Sequence, residues 1–226
     1  MEITYYGHSC FLLSDDQHKV LLDPFISGNP LASNIKIDEL KPDFIFLSHG
    51  HQDHVLDVET IYNHSDAQIV SNFEVATWFQ NKGLERVNPM NQGGIFTADF
   101  GTIKMMSAVH SSSMPDGSYG GNPLAFVIQW GDKCLYYAGD TALHQDMKLV
   151  GEQHRVDLAI LPIGGHFTMG LEDALIAAEF VDCDQILGMH YDTFPPISID
   201  HQASKNLSVS QGKELILMQI GSSIKL

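Results

Sequence analysis

The chain has three cysteines, Cys10, Cys134 and Cys183, and none of them stands in a Cys-x-x-Cys pair. An odd, widely spaced set supplies no disulfide framework and no thiolate ligand motif, so the three read as reduced core thiols. Positive charge is scarce as well. Twelve Lys and Arg stand against 28 Asp and Glu, leaving a formal net charge of −16 that no block of consecutive like charges carries. A field of that sign repels a phosphate backbone and argues against broad nucleic-acid binding. Met1 to Tyr6 has neither the basic n-region nor the apolar h-region of a signal peptide, and no later apolar run approaches the length that spans a bilayer. The expected protein is therefore soluble and cytoplasmic, with no membrane and no nucleic-acid partner; a homo-oligomer stays open. Its apolar content of 44% argues against disorder, and 226 residues suffice to bury a large core in one domain, 1–226, or in two closely fused halves.

What the chain has instead is clustered histidine. Ser48-His49-Gly50-His51-Gln52-Asp53-His54 follows the apolar run Phe44-Ile45-Phe46-Leu47, so it sits where a buried strand gives out. Three imidazoles and a carboxylate are ligands of borderline hardness, suited to zinc, iron, manganese or nickel. In extended backbone His49 and His51 face the same side and can share one ion. Asp53 and His54 would diverge unless the chain turns helical there, in which case both swing toward a second ion. Gly50 lets the loop turn tightly between them.

The remaining pattern is a duplicated alternation of elements. Strands are expected at Ile3–Tyr6, Cys10–Leu13 and Val20–Leu22, the last ending at Asp23-Pro24, and again at residues 44–47 and Gln68–Ser71. One short helix is expected over Val55–Asn63 and another over Phe73–Lys82, closed by Gly83. After Gly93-Gly94 come hairpin arms at Thr102–Val109, Leu124–Trp130 and Lys133–Ala138, then strands at Leu158–Ile163, Ile186–Gly188 and Leu215–Ile220, with an amphipathic helix over Leu171–Val181. Loop 111–123 lacks periodicity, and its Met114 and Tyr119 suit closure over a compact, partly apolar ligand. The order of elements repeats about residues 115–123, giving halves of about 1–115 and 116–226. Two mixed sheets packed face to face with helices outside satisfy it.

His110, Asp140 and His190 each fall at the carboxyl end of an expected strand, where open α/β sheets place their sites. Any one of them alone is more simply a hydrogen-bonded core residue. Together they complete a set: His49, His51 and His110 for one divalent ion, Asp53, His54 and His190 for the other, and Asp140 between them. Room remains for a shared hydroxide, the open position that a catalytic metal site keeps.

This arrangement of His49-Gly50-His51-Gln52-Asp53-His54 with His110, Asp140 and His190 resembles the metallo-β-lactamase superfamily. The resemblance spans the whole chain and implies an α/β fold, a four-layer αββα sandwich with two mixed β-sheets flanked by helices, around a two-metal hydrolytic site. Tyr6-Gly7-His8-Ser9, Leu22-Asp23-Pro24, Tyr137-Ala138-Gly139-Asp140-Thr141 and Gly188-Met189-His190 are similar to the branch of small bacterial metal-dependent hydrolases related to ascorbate-6-phosphate lactonase and N-acylphosphatidylethanolamine phospholipase D. That likeness implies that His8 lines the metals and acts in catalysis with Asp53 and Asp140, and that Asp23 orients the metal-binding loop. His166, after Gly164-Gly165, is a candidate for touching substrate. No cysteine occupies a ligand position, which argues against β-lactam hydrolysis.

The expected activity is hydrolysis of a small ester, lactone, amide or phosphodiester by two ions per chain, zinc first, with manganese, nickel or iron as substitutes. The rivals are a phosphodiesterase or nuclease and a metal-binding or redox-sensing protein without turnover. Segments 7–9, 24–34, 48–54, 111–123, 139–144, 164–170 and 190–196, expected to rim the metals, contain no Lys or Arg, so nothing there would track a polymeric phosphate chain.

Overall fold

In the computed structural model, which describes all 226 residues, side-chain alternation sorts the apolar residues of each strand between two buried layers. β1 (Glu2–Gly7), β2 (Cys10–Ser14) and β3 (Lys19–Leu22) make an antiparallel meander. Val20 and Leu22 of β3 face the large core between the sheets, while Leu21 faces a smaller core beneath the helices. β4 (Phe44–Phe46) repeats the division, with Phe46 toward the opposing sheet and Ile45 toward the helices. Strands covered on both faces read as unbroken apolar runs.

β4 leads into α1 (Gln52–Val55) and α2 (Val58–His64), then β5 (Gln68–Asn72), α3 (Phe73–Asn81) and β6 (Val87–Met90). The second half runs β7 (Ile95–Ala98), β8 (Gly101–Ser107), β9 (Leu124–Trp130), β10 (Lys133–Tyr137), α4 (Lys148–Gln153) and β11 (Leu158–Pro162). It continues through α5 (Leu171–Phe180), β12 (Gln185–Met189), α6 (His201–Ser210), β13 (Glu214–Ile216) and β14 (Ser223–Lys225). Two seven-stranded sheets result, ordered β14-β1-β2-β3-β4-β5-β6 and β13-β12-β11-β10-β9-β8-β7. Each passes from antiparallel to parallel pairing at its fourth strand. The αββα sandwich implied by the sequence is the fold.

Several elements differ from the sequence expectation for identifiable reasons. The single helix over 55–63 is broken at Leu56-Asp57, because Asp57 N–H donates to Pro24 O while its buried carboxylate accepts from Ile26 N–H, Ser27 N–H and Ser27 Oγ–H. The passage from one sheet to the other falls between Met90 and Ile95, ahead of residue 115, and β14 crosses back to the first sheet beside β1. α6 lacks an apolar stripe because the residues it buries are Ser204 and Ser208; only its cap, Asp200 accepting from Ala203 N–H, shows in the sequence. β13 stops at Ile216, so it covers only the start of the strand expected over Leu215–Ile220.

Aromatic rings tie the sheets together: Phe46 meets Phe126 edge to face at 5.7 Å, and Phe126 stacks on Tyr137 at 5.9 Å. At the β7–β8 turn Gly101 has φ +144°, and a Cβ there would lie 2.0 Å from Gln129 O, a backbone atom that cannot move aside. Gly83, after α3, has φ +94° and open space around it. Gly101→Ala is therefore expected to destabilise by at least ~2 kcal/mol more than Gly83→Ala, whose cost is about 1 kcal/mol, in matched urea unfolding curves.

Candidate metal centre

The site grows from the carboxyl ends of β1, β3, β4, β10 and β12 and the loop after β8. Backbone bonds across the sandwich lock these ends together: His190 N–H donates to His8 O at 2.9 Å, and Leu124 N–H to Ser48 O at 2.8 Å. Three of the six non-glycine residues with positive φ lie here, His8 (55°), Asp23 (42°) and His190 (55°). Each left-handed residue costs about 1 kcal/mol, a cost the surrounding packing must outweigh.

Helix α1 begins at Gln52, so the chain does turn helical there and brings Asp53 and His54 beside His190, while the His54 ring stays 4.2 Å from that of His49. The structure brings donor atoms of His49, His51 and His110 within 4.8 Å of one another, and those of His8, Asp53, His54 and His190 within the same span. Asp140 Oδ2 lies 3.0 Å from His190 Nε2, 3.2 Å from His54 Nε2, 3.7 Å from His110 Nε2 and 4.0 Å from His49 Nε2. One carboxylate oxygen thus stands between both groups. His8 enters the second group directly: its Nε2 is 3.1 Å from Asp53 Oδ2 and its Nδ1 3.0 Å from Thr193 Oγ1.

Asp23, fully buried, makes no use of its oxygens as free ligand positions. It accepts from Ser48 N–H (2.7 Å), Ser48 Oγ–H (2.5 Å), His54 Nδ1–H (2.9 Å) and the Tyr137 hydroxyl (2.7 Å). Because Ser48 Oγ gives its proton to Asp23, it accepts from His49 Nδ1–H at 2.9 Å. Both imidazoles are thereby held through Nδ1–H, so that Nε2 is the nitrogen turned into the cluster. His51 points Nδ1 inward, 2.9 Å from His49 Nε2, with Ser111 Oγ 3.3 Å behind its Nε2.

This donor set fits divalent cations. His54 Nε2 and Asp140 Oδ1 are buried without a hydrogen-bond partner. Such atoms are costly unless something positive meets them. Burial lowers the pKa of His49, His51 and His110, leaving neutral imidazoles ready to ligate. For His54 burial acts downward too, yet Asp140 and Asp23 outweigh it and hold the ring well above its ordinary value. A proton there stands where a metal ion would.

Gly50 is needed for a different reason than the expected tight turn: a Cβ would lie 2.5 Å from Met114 Sδ and 3.1 Å from Ser113 O. Loop 111–123 is a strap clamped over the His49–His51 segment. Gly120 N–H donates to Ser112 O, Met114 N–H to Ser118 O, Asn72 Nδ2–H to Gly120 O and Asn122 O, and Trp78 Nε1–H to Asp116. His166 is exposed in the turn between Gly164 and Gly170, its ring 4.5 Å from Phe167, outside both donor groups. Ser48, Ser111, Tyr137 and Thr193 carry no role in the sequence reading. Of these only Ser48, adjoining His49, and Tyr137, in a strand leading to Asp140, had a local signal.

A two-sheet sandwich flanked by helices, with histidines and carboxylates gathered at the strand ends, is the architecture of the metallo-β-lactamase superfamily. Residues 2–190 match the beta-lactamase superfamily domain. The chain belongs to the UPF0173 metal-dependent hydrolase family within it. It is similar to the UPF0173 metal-dependent hydrolases of Christiangramia forsetii (51% identity over 227 residues) and Flavobacterium johnsoniae (51% over 226 residues), with 100% of both chains covered in each case. Among solved structures it is similar to Igni18, a novel metallo hydrolase from the hyperthermophilic archaeon Ignicoccus hospitalis, with 33% identity and a TM-score of 0.88 over 99% of this chain and 97% of that one.

Asp23→Asn keeps the shape but turns an N–H2 toward one of four donors, which frees His49 or His54 to rotate. Metal affinity, measured by competition with a chromogenic chelator, is expected to fall 10–100-fold while the far-ultraviolet dichroism is retained. Unchanged affinity would remove Asp23 from this role.

Proposed function

We propose that the chain is a hydrolase of small esters, lactones, amides or phosphodiesters that works with two divalent ions, zinc first and manganese, nickel or iron as substitutes. Supporting it most directly is the position of Asp140 Oδ2, within 4.0 Å of Nε2 atoms from both donor groups. In this reading His49, His51 and His110 would hold one ion, Asp53, His54 and His190 would hold the other, and Asp140 would serve both. The chemistry such ions would supply is an activated water at neutral pH and polarisation of the scissile carbonyl or phosphoryl oxygen.

The chain's own residues then have distinct tasks. Asp140 is 2% exposed and keeps its charge, because His190 and His54 offset the effect of burial and hold its pKa well below the usual carboxylate range. The Asp53 side chain is 28% exposed, so it is the carboxylate an entering substrate meets and the group placed to take up and return a proton at Oδ2. His8 orients it. Burial depresses the His8 pKa to about 4, so the ring is neutral; its Nδ1 lies 3.0 Å from Thr193 Oγ1 and its Nε2 3.1 Å from Asp53 Oδ2. Asp23 holds His49 and His54 as described, and His166 is left as a candidate contact for substrate. The finer kinship with ascorbate-6-phosphate lactonase and N-acylphosphatidylethanolamine phospholipase D belongs to this same reading. So does a cytoplasmic protein without a nucleic-acid partner; no helix is long and apolar enough to cross a membrane.

Metal titration of chelator-stripped protein is expected to saturate at two ions per chain and restore hydrolysis; saturation at one would overturn the two-ion assignment. Asp140→Asn removes the charge shared by both groups and should lower kcat/KM about a thousandfold with the fold preserved. Cys10→Ala, Cys134→Ala and Cys183→Ala should keep both ions. Faster metal-dependent cleavage of oligonucleotides than of every small substrate would favour a nuclease instead.

A further inference from the structure

Access to the centre is narrow. His8, His49 and His54 side chains are fully buried, His190 and Asp140 are 2% exposed, and solvent reaches Asp53 (28%) and His110 (14%). His51 is half-buried on the same face. What borders this opening decides what can approach the metals.

On the His8 side the border is apolar, with Phe194 and Leu56 at the surface and Phe25, 5% exposed, behind them. Phe194, half-buried, meets the His8 ring edge to face at 5.5 Å, and Phe25 meets the same ring at 5.4 Å; the two phenyl rings are 6.2 Å apart. Leu56, 37% exposed and two residues beyond His54, extends the wall. It and Phe25 press on the same glycine: a Cβ at Gly28 would lie 2.4 Å from the Phe25 ring and 2.7 Å from Leu56 Cδ2. The loop carrying Phe25 is fixed by Asp57, which accepts from the backbone N–H groups of Ile26 and Ser27. Across the opening Val109, 51% exposed, precedes His110.

Segments 7–9, 24–34, 48–56, 109–123, 139–144 and 190–196, which carry or flank the metal-facing residues, contain no Lys or Arg. Lys19 and Lys133 start β3 and β10, whose far ends carry Asp23 and Asp140. Lys36, Lys82 and Lys213 pair with Glu39, Glu59 and Asp184, and Arg86 serves backbone carbonyls of Tyr62, Ser65 and Ala67. A second negative group on the substrate would find no cation beyond the metals, and it would face Asp53 in a protein of net charge −16.

We propose that the Phe25–Phe194–Leu56 wall is an acyl or alkyl subsite, and that the substrate is an uncharged ester or lactone with an apolar body rather than an anionic or phosphorylated compound. The proposal rests on the hydrolase reading above and narrows it. Each methylene seated on a fully apolar surface is worth roughly a fourfold preference. Four extra methylenes on this half-open wall should therefore give about a tenfold gain or more.

The test uses the metal-loaded full chain with p-nitrophenyl acetate, p-nitrophenyl hexanoate and the mono-p-nitrophenyl ester of adipic acid, which has the hexanoate length and a terminal carboxylate. Expected kcat/KM is at least about tenfold higher for hexanoate than for acetate, and lower for the adipate ester than for acetate. Phe194→Ala and, separately, Leu56→Ala should bring the hexanoate-to-acetate ratio within about threefold of one. Leu56 is exposed, so its variant reports even where Phe194→Ala fails to fold. Calorimetric binding of hexanohydroxamate and acetohydroxamate gives a readout independent of turnover, and the longer ligand should bind about tenfold more tightly only when the wall is intact. Flat chain-length ratios in both assays, or an adipate ester as fast as the hexanoate, would overturn the subsite. Chain-length-dependent hydroxamate binding with no hydrolysis of any ester, lactone, amide or phosphodiester would uphold the subsite and overturn the hydrolase reading instead.

Discussion

A buried carboxylate with four donors, Asp23, is the constraint on which the centre depends. Taking a carboxylate out of water costs several kcal/mol, and only a full set of hydrogen bonds offsets that cost. Here the donors come from three places in the chain: Ser48 through backbone and side chain, His54 on α1, and Tyr137 at the end of β10. Satisfying the charge therefore forces the loop after β4, the helix that follows and the opposing sheet into one arrangement. In that arrangement the free imidazole nitrogens of His49 and His54 have nowhere to point except toward Asp140. The φ of 42° at Asp23 is part of the same compromise, a local strain tolerated because the network over-determines the residue.

That residues 49–54 come close to His110, Asp140 and His190 was legible because the segments follow apolar runs, and a strand that ends in a histidine or an aspartate announces both its direction and its chemistry. The two-sheet architecture followed from the alternation of hairpins and strand–helix units. What stayed hidden depends on contacts between distant segments. Tyr137 reads as one more apolar strand residue until the second sheet brings its hydroxyl to Asp23. Thr193 has meaning only beside His8, at the other end of the chain. The break between α1 and α2 comes from Asp57 serving the loop at Ile26 and Ser27, and α6 shows no period because it buries serines. Loop 111–123 looks mobile by composition, yet Asn72 and Trp78 tie it down from α3 and the residue before it.

The halves of the chain are not independent at the site. His8, Asp23 and residues 48–54 come from the first sheet, while His110, Asp140 and His190 come from the second, and the His190-to-His8 and Leu124-to-Ser48 backbone bonds set their spacing. A shift of one sheet against the other would separate His8, His49, His51, Asp53 and His54 from His110, Asp140 and His190 before it broke any strand pairing within a sheet.

The Tyr137 hydroxyl carries that dependence into the interior. Its ring stacks on Phe126, which in turn packs against Phe46 of the opposite sheet, and its oxygen ends on Asp23. A cavity opened anywhere along this aromatic column is transmitted to the orientation of His49 and His54. Retention of ions against a weak competitor thus doubles as a gauge of how tightly the two sheets are pressed together, and it would register a loosened interior while the secondary structure still looked whole.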